Sequence, residues 1–272
     1  MAFLCQRYKV SRSGFYAWEA RERSRRSRDD EELGAAIARI HRDSRGTYGS
    51  PRVHEQLKRE GIRCSNKRVA RLMREAGLRA RVSRLYRRSS GVHRFFEKTG
   101  NARLDEPAPT RTDQIWVADL TYLRLGKHWR YLATVMDLFS RRIVGWTIGR
   151  GKGMALTLRA LKHALAARSP RPGLLFHSDR GSEYAAYAYQ AFLRARGIVP
   201  SMNRPRSCQD NAHMESFFHT LKAELVHQHT FASDAQLNGQ LGGYIDRFYN
   251  LKRMHSSLGY HSPVEFERLA NA

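Results

Sequence analysis

Acidic residues are few in this chain relative to basic ones. Its 272 residues include 49 Lys and Arg but only 25 Asp and Glu, which gives a formal net charge of +24. Such a surface binds polyanions because binding releases their counterions. Nucleic acid is therefore the first partner to consider and an anionic membrane the second, while a well-solvated surface without a partner is the remaining explanation.

Cysteines and long apolar runs are also few. Three cysteines occur far apart and without CxxC spacing, namely Cys5, Cys64 and Cys208. This excludes a disulfide framework and favours free thiols in a reducing cytoplasm over a zinc site. No run approaches the roughly 20 apolar residues that span a bilayer, and the N-terminus MAFLCQRYKV has too short an apolar core for a secretion signal. We therefore expect a cytoplasmic protein without a membrane partner.

Helix signals dominate residues 1–100. Leucine and isoleucine follow an acidic turn at helical spacing in RDDEELGAAIARIHRDS. TYGSPRVHEQLKREG has Pro51 near a helix start and Gly61 past its end, and Ser65 is the candidate N-cap of SNKRVARLMREAGL. We predict a helical DNA-binding region over 1–100, with a helix-turn-helix-like part at about 47–80.

The short helices joined by GIRCS have the spacing of a helix-turn-helix. Its second helix would present Asn66, Lys67, Arg68, Arg71 and Arg74 outward, as a recognition helix does in a major groove. An ordinary basic helical hairpin has the same spacing, so both interpretations stay open.

Strand signals begin near residue 113, after a proline-containing segment at 101–112 that we predict to be a linker. IWVADLTYLRL, RYLATVMDLFS and RRIVGWTIGR are strand-like and joined by short turns. Helices then alternate with the shorter strands GLLFHSD and IVPSMN. This order predicts an α/β fold over 113–272, with a mixed sheet flanked by helices.

Three acidic residues are notable for their positions. Asp119 lies in the first predicted strand, Asp179 ends the fourth, and Glu215 lies on a later helix. If those two strands are neighbours, Asp119 and Asp179 are side by side, where they repel unless a cation joins them. Carboxylates are ligands that Mg²⁺ prefers, and two such ions suit phosphoryl transfer. Taken singly, each residue is more commonly a turn former or a surface charge.

Lys222 follows Glu215 by two helical turns, so both lie near one face of their helix. A metal ligand and a cation on one face suit the binding of DNA beside the metal. A solvated Glu and Lys is the ordinary alternative.

Several motifs together resemble a known family. From WVADLTYL through HSDRGSEY to DNAHMESFFHTLKAEL, the order Asp, Asp, 35 intervening residues, Glu resembles the catalytic core of DDE transposases and retroviral integrases. More narrowly, VSRSGFYAW, the YGSPRV…GIRCSNKRVARLMREAGLRA block and the ending FYNLKRMHSSLGYHSPVEF are similar to the downstream-frame transposase of the IS-three family of bacterial insertion sequences. The similarity covers nearly the whole chain.

The resemblance implies an RNase H-like five-stranded mixed sheet in which Asp119, Asp179 and Glu215 hold two Mg²⁺ ions, with Mn²⁺ as a substitute. It also implies that Lys222 contacts the terminal DNA of the element. The expected reaction is metal-dependent nicking at an element end, after which the freed 3′-hydroxyl attacks another phosphodiester.

Further residues receive supporting roles. Asp137 is the rival for the first metal ligand, but the WVADLTY context favours Asp119, and we expect Asp137 to be structural or to support the site through Arg141 or Arg142. His177 and Asn211 are expected to orient ligands or DNA. Phosphate contacts are expected from Asn250, Arg253 and His255.

The expected partners are DNA, as terminal inverted repeats and target, a second copy of the chain, and an upstream-frame product as fusion or partner. Two alternatives stay open. One is a non-catalytic DNA-binding regulator or an inactive element copy, and the other is a nuclease on the same fold that releases cut ends without joining them.

Overall fold

The computed structural model describes residues 1–20, 24–81, 107–204 and 211–272. They belong to two compact units, Met1–Ala80 and Arg81–Ala272. The predicted boundary at residue 100 and the first half of the predicted linker at 101–112 lie outside the described residues.

The described part of the N-terminal unit is helical, as predicted. Its helices are α1 (Ala2–Arg7), α2 (Arg12–Glu19), α3 (Arg25–Asp43), α4 (Ser50–Arg59) and α5 (Asn66–Glu75). The last three pack on one another through a shared apolar core. That core contains Leu33, Ile37, Ile40, Val53, Leu57, Val69, Leu72 and Met73.

The ends of α4 and α5 follow the sequence signals. Pro51 occupies the first turn of α4, where its missing N–H costs nothing. Gly61 adopts a φ of 79° just beyond that helix, a left-handed conformation that favours glycine. Ser65 caps α5 by accepting a hydrogen bond from the backbone N–H of Arg68 at 3.2 Å. Local chemistry therefore fixes the turn between the two helices.

The C-terminal unit contains the mixed five-stranded sheet that the sequence predicts. Its strands are β1 (Ile115–Leu125), β2 (His128–Asp137), β3 (Ile143–Gly149), β4 (Leu175–Ser178) and β5 (Val199–Met202). They lie in the order β3-β2-β1-β4-β5. The first three are antiparallel neighbours, whereas β4 runs parallel to both β1 and β5.

Helices cover both faces of this sheet. They are α6 (Met154–Arg168), α7 (Ser182–Ala185), α8 (Tyr187–Arg194), α9 (Ala212–Glu224), α10 (Asp234–Tyr244) and α11 (Pro263–Ala270). One core joins the sheet to α9, α10 and the π-helical turn Ile245–Tyr249, while the other joins it to α6 and α8. Gly145 of β3 lets α6 approach closely, because a Cβ there would collide with the backbone carbonyl oxygen of Ala160.

The short length of β4 shapes one edge of the sheet. It pairs only with residues 115–118 of β1, although β1 continues to Leu125. The last pairs are Val117 with His177 and Ala118 with Ser178. Residues 119 and 179 therefore come next on adjacent parallel strands, at the point where the pairing stops.

In the parts of the chain that the structure describes, no helix is both long enough and apolar enough to cross a membrane.

Candidate active site

Asp119 and Asp179 lie side by side at the point where β1 and β4 separate. Asp119 is the residue after the last β1 position paired with β4, and Asp179 directly follows β4. Burial and the charge of Asp179, with smaller contributions from Glu215 and Glu183, raise the pKa of Asp119 from 3.8 to about 8. The two carboxylates therefore repel each other, which is the situation that a bound cation relieves.

The loop after β4 folds tightly around Asp179. Its Oδ1 accepts a hydrogen bond from the backbone N–H of Gly181 at 3.0 Å. A side chain at Gly181 would displace the neighbouring carboxylates, since a Cβ would lie 2.8 Å from the carboxyl carbon of Glu183 and 3.0 Å from Asp179 Oδ1. Burial raises the pKa of Asp179, the neighbouring Glu183 raises it further, and Lys152 opposes the shift.

Glu183 is a site residue that the sequence analysis missed. Its side chain is buried, its Oε1 lies 3.3 Å from Lys152 Nζ, and its Oε2 accepts a hydrogen bond from Ser182 Oγ at 3.2 Å. Its charge also acts on Asp119 and Asp179. The signal was available in HSDRGSEY, where a second carboxylate follows Asp179 four residues later.

Glu215 approaches the pair from α9. It is exposed in the first turn of that helix, and its charge contributes to the raised pKa of Asp119. The inner face of α9 packs into the core of the sheet through Met214, Phe217 and Leu221. The hydrophobic stripe of α9 thus brings its polar face to the strand edge.

Asn211 fixes the start of α9 against β1. Its Nδ2 donates a hydrogen bond to the backbone carbonyl of Ala118 at 3.1 Å, beside the last paired position. Its Oδ1 is buried and has no hydrogen-bond partner among the described residues. The side chain is itself buried, which is compatible with the predicted role of orienting ligands.

Lys222 lies between Asp119 and an aromatic ring. Its Nζ is 4.7 Å from the ring centroid of Tyr122, and burial lowers its pKa while the charge of Asp119 opposes that shift. Glu215 and Lys222 therefore lie two turns apart on the same face of α9, as predicted, and this face is directed at one edge of β1.

The donor set has the chemistry of a divalent metal site but does not enclose one. Among the described residues, no three His, Cys, Asp or Glu side chains lie close enough together to hold an ion. Asp119, Asp179 and Glu215 nevertheless offer only oxygen ligands, which suits Mg²⁺ or Mn²⁺ and does not suit zinc. The buried pair supplies two ligands, and Glu215 is the third carboxylate within electrostatic reach.

The raised pKa of Asp119 predicts an unusual dependence of stability on pH. Folded Asp119 keeps its proton up to about pH 8, whereas the ordinary value of 3.8 applies after unfolding. The unfolded state therefore releases this proton first, and metal-free protein loses stability as the pH rises from about 4 to about 8. Mg²⁺ competes with the proton, so its stabilising effect should grow over the same window.

Thermal unfolding of wild type and Asp119→Asn, at pH 6 and pH 8.5 with and without Mg²⁺, measures this effect. The wild-type melting temperature should decrease more with pH than that of the variant, and Mg²⁺ should recover the difference. Identical pH profiles for the two proteins would contradict it. Since both carry nearly the same net charge, the comparison removes the general effect of pH on this basic chain.

His177 supports the strand that carries Asp179. It is fully buried, with its Nδ1 2.9 Å from Ser201 Oγ and its Nε2 2.7 Å from Asn203 Oδ1. Arg180 extends this link by donating from Nε to the backbone carbonyl of Asn203. The predicted role of orienting a ligand is thus compatible with the structure, whereas a direct contact between His177 and DNA is not.

Asp137 has the contacts of a structural residue, which is one of the two roles that the sequence suggests for it. It is fully buried at the end of β2 and accepts hydrogen bonds from the backbone N–H groups of Asp113 and Ser140. Burial raises its pKa. Arg142 forms its ion pair with Glu267 at 2.7 Å, so the expected pairing of Arg142 with Asp137 is replaced by a link to α11.

The predicted phosphate contact of Arg253 is corrected by its burial. Its guanidinium binds Glu224, with Nη2 2.8 Å and Nε 2.9 Å from the carboxylate oxygens, and Tyr244 donates to the same carboxylate at 2.7 Å. Both members of the ion pair are almost completely buried. Arg253 therefore joins α9 to the chain after α10 and is not presented to DNA.

His255 and Asn250 are buried as well. The ring of His255 packs edge-on against Tyr249 with centroids 4.8 Å apart. Asn250 forms two hydrogen bonds with the backbone of Ile143, at 3.0 Å and 2.9 Å. The predicted phosphate contacts are wrong for these residues also, because both side chains hold the C-terminal segment in place.

Three of the five residues that the predicted recognition helix was expected to present outward are exposed. They are Asn66, Lys67 and Arg74 of α5, and their contact with DNA stays a prediction. Arg68 and Arg71 instead point to α3, where both bind the carboxylate of Asp30, at 2.6 Å and 2.7 Å. These hydrogen bonds, Arg71 first, lower the pKa of Asp30.

Comparisons with known protein families agree with both units. Residues 109–208 match an integrase core domain family, and residues 196–263 match a second integrase core family. Residues 27–86 match an HTH-like domain family. The candidate carboxylates Asp119 and Asp179 lie in the first of these matches, and Glu215 lies in the second.

Named relatives cover nearly the whole chain. An uncharacterised 31 kDa protein of insertion element IS600 from Shigella sonnei is 39% identical over 97% of this chain and 97% of its own length. Transposase InsF of insertion sequence IS3A from Escherichia coli K12 is 35% identical over 97% of this chain and 92% of its own length.

A solved structure shows the same fold. A chain of the simian T-cell lymphotropic virus intasome, determined by cryo-EM, aligns with 85% of this chain and 74% of its own length at a TM-score of 0.50 and 14% identity. Together with the matched domains and the extent of the sequence similarity, this assigns the sheet to the integrase fold. The chain belongs to the IS3-type insertion-sequence transposases, with an HTH-like region and an integrase core.

Proposed function

We propose that this chain is a DDE transposase, which nicks DNA at the ends of an insertion sequence and transfers the freed 3′-hydroxyl to another phosphodiester. One observation carries the proposal. The parallel register of β1 and β4 places Asp119 beside Asp179 at the strand edge that α9 approaches with Glu215 and Lys222. Two adjacent carboxylates, with a third within electrostatic reach and a cation beside them, suit a reaction on phosphate.

We assign the metal ligands to Asp119, Asp179 and Glu215. Two bound Mg²⁺ ions, or Mn²⁺ in their place, would activate the attacking oxygen and stabilise the leaving one. The half-buried ammonium of Lys222 would bind a phosphate next to the scissile bond. His177 would keep β4 and Asp179 aligned beneath the phosphate, because Ser201 and Asn203 hold its two ring nitrogens in place.

The first test uses labelled duplexes that contain the DNA flanking the gene of this protein. Wild-type protein is incubated with Mg²⁺, Mn²⁺ or EDTA, and nicked and strand-transferred products are separated by size. Joined products that require metal are the expected result. Metal-dependent cleavage without joining would favour a nuclease, and metal-independent DNA binding alone would favour a regulator or an inactive copy. If only binding is seen, the upstream-frame product is added, because we also propose it as a partner or fusion.

DNA recognition by the helical unit is a separate part of the proposal. The exposed residues Asn66, Lys67 and Arg74 of α5 are the ones available to a groove or a phosphate. Arg68 and Arg71 are occupied by Asp30 and are proposed to hold α5 on α3. Replacing the exposed basic residues of α5 should therefore affect DNA binding, whereas replacing the two that bind Asp30 should affect stability.

Replacing Lys67 and Arg74 together by Ala should weaken DNA binding at low salt and flatten its salt dependence. Each lost phosphate contact should lower the slope of log K against log salt by about 0.9, hence by nearly 2 for the pair. Binding isotherms at four salt concentrations measure this slope. Arg68→Ala with Arg71→Ala is the matched control, which should lower the melting temperature of the helical unit before it changes the slope. The assignment is wrong if the control pair changes the slope and the exposed pair does not.

A further inference from the structure

Two large aromatic rings are exposed beside the candidate active site. The side chains of Tyr122 and Trp129 lie on the paired strands β1 and β2 with 58% and 48% of their surface accessible. Their rings meet edge to face, with centroids 5.2 Å apart and planes at 90°. Two adjacent exposed rings on a regular strand pair form a surface on which a planar ligand can stack.

A cationic side chain lies over each of the two rings. Lys222 Nζ is 4.7 Å from the centroid of Tyr122, and the guanidinium carbon of Arg124 is 5.7 Å from that of Trp129. The surface is therefore aromatic and positive at once. A nucleotide offers the complementary pair, because its base stacks on an aromatic ring and its phosphate binds the adjacent cation.

Lys222 also connects this surface to the carboxylates. Asp119 and Tyr122 project from opposite faces of β1, since their numbers differ by three on a strand of period two. A cation that interacts with both must lie along the edge of β1. Beyond residue 118, that edge no longer pairs with β4. When a phosphate of a DNA strand binds Lys222, the nucleotide on one side of that phosphate therefore lies at the carboxylates, and the nucleotide on its other side lies at the rings.

We propose that Tyr122 and Trp129 form a stacking site for an unpaired nucleobase next to the scissile phosphodiester. The inference rests on the proposed reaction, because it is this reaction that brings a DNA end to Asp119. The ligand is a DNA end with one or two frayed nucleotides, and stacking accepts any base since every base has a π face. Tyr122 and Trp129 are positioning residues that hold the end of the strand, while the carboxylates act on the phosphate.

Tryptophan fluorescence in EDTA tests the site without any cleavage. Full-length protein is titrated with three duplexes of the same length, one blunt, one with two unpaired terminal nucleotides and one with the same two positions abasic. The unpaired end should quench fluorescence more than the blunt and abasic ends do. Trp129→Phe should remove this extra quenching while keeping an aromatic ring, which assigns it to Trp129 among the four tryptophans.

Binding by variants supplies the second measurement. Tyr122→Ala should weaken binding of the unpaired end by roughly 5- to 100-fold, leave the abasic end almost unchanged, and be rescued by Tyr122→Phe. Tyr187→Ala is the matched control, because Tyr187 is an exposed tyrosine of the same unit, 84% accessible, on α8. Its affinity for all three duplexes should equal that of wild type.

Equal quenching and equal affinity for the unpaired and abasic ends would overturn the proposal, and this comparison needs no variant. A change in oligomeric state with Tyr122→Ala, seen by sedimentation and without loss of quenching, would also overturn it and assign the rings to an interface between copies. Failure of the proposed reaction is scored separately, since nicking and joining are measured with metal and these titrations are not.

Discussion

Replacing Asp119 by Asn, Asp179 by Asn or Glu215 by Gln should abolish nicking and strand transfer while leaving DNA binding largely intact. Each change keeps the size of the side chain and removes one negative oxygen ligand. The transition state then loses charge stabilisation of several kcal/mol, which corresponds to a rate at least about 1000-fold lower. The measurement is the yield of joined product with Mg²⁺ over a time course, with affinity for the same duplex determined in parallel.

Asp137→Asn is the control for this series. Asp137 was the rival first ligand in the sequence, but it is buried at the far end of β2 among backbone donors from Asp113 and Ser140. The variant should lower the melting temperature and retain strand transfer at temperatures where it is folded. Near-normal activity of any of the three candidate variants, or loss of chemistry in folded Asp137→Asn, would refute the assignment of ligands.

Arg253→Ala should unfold the C-terminal unit far more readily than a surface substitution does. The side chains of Arg253 and Glu224 are only 7% and 5% accessible, so the variant leaves the carboxylate of Glu224 buried without its partner. Removing one member of a buried ion pair costs about 3–5 kcal/mol of stability. Denaturant unfolding monitored by tryptophan fluorescence measures the change in free energy.

The control separates this structural role from the phosphate contact that the sequence suggested. Arg268→Ala removes an exposed arginine from α11 and should alter stability by less than about 0.5 kcal/mol. At temperatures where it is folded, Arg253→Ala should keep the salt dependence of DNA binding unchanged. A flattened salt slope together with wild-type stability would mean that Arg253 does reach the DNA.

The sequence predicts the sheet and its two central carboxylates because both depend on local signals. Strand periodicity and turn chemistry give the element order, and the crossover after β3 makes β4 a neighbour of β1, which places Asp119 beside Asp179. The motifs around these residues add the family. The motif around Glu215 also identifies this residue, but it does not predict that Glu215 is exposed at the start of α9.

Three of the errors, at Arg68, Arg71 and Arg253, concern basic residues whose partners are distant in the sequence. Arg68 binds Asp30, which lies 38 residues away, and Arg253 binds Glu224, which lies 29 residues away. Helical spacing shows that Arg68 and Arg253 are polar, but it does not show that a carboxylate from a distant part of the chain binds each of them. In a chain with 49 basic residues, some must neutralise the scarce acidic side chains, and only tertiary structure identifies which.

The two parts of the candidate site are held in place by different kinds of contact, one of which is made by Asn211. Asp119 and Asp179 are spaced by the strand ladder, which can change only if the sheet comes apart. Glu215 takes its position from the start of α9, which a hydrogen bond from Asn211 Nδ2 to the backbone carbonyl of Ala118 and the packing of the helix hold in place. Because Lys222 sits on the same rigid helix, a phosphate that draws Lys222 toward β1 also draws Glu215. DNA and metal should therefore strengthen each other's binding, and by reciprocity to the same degree. An enzyme built in this way would gain its third metal ligand only when it binds its substrate. This would limit unproductive cleavage when metal is bound without the correct DNA.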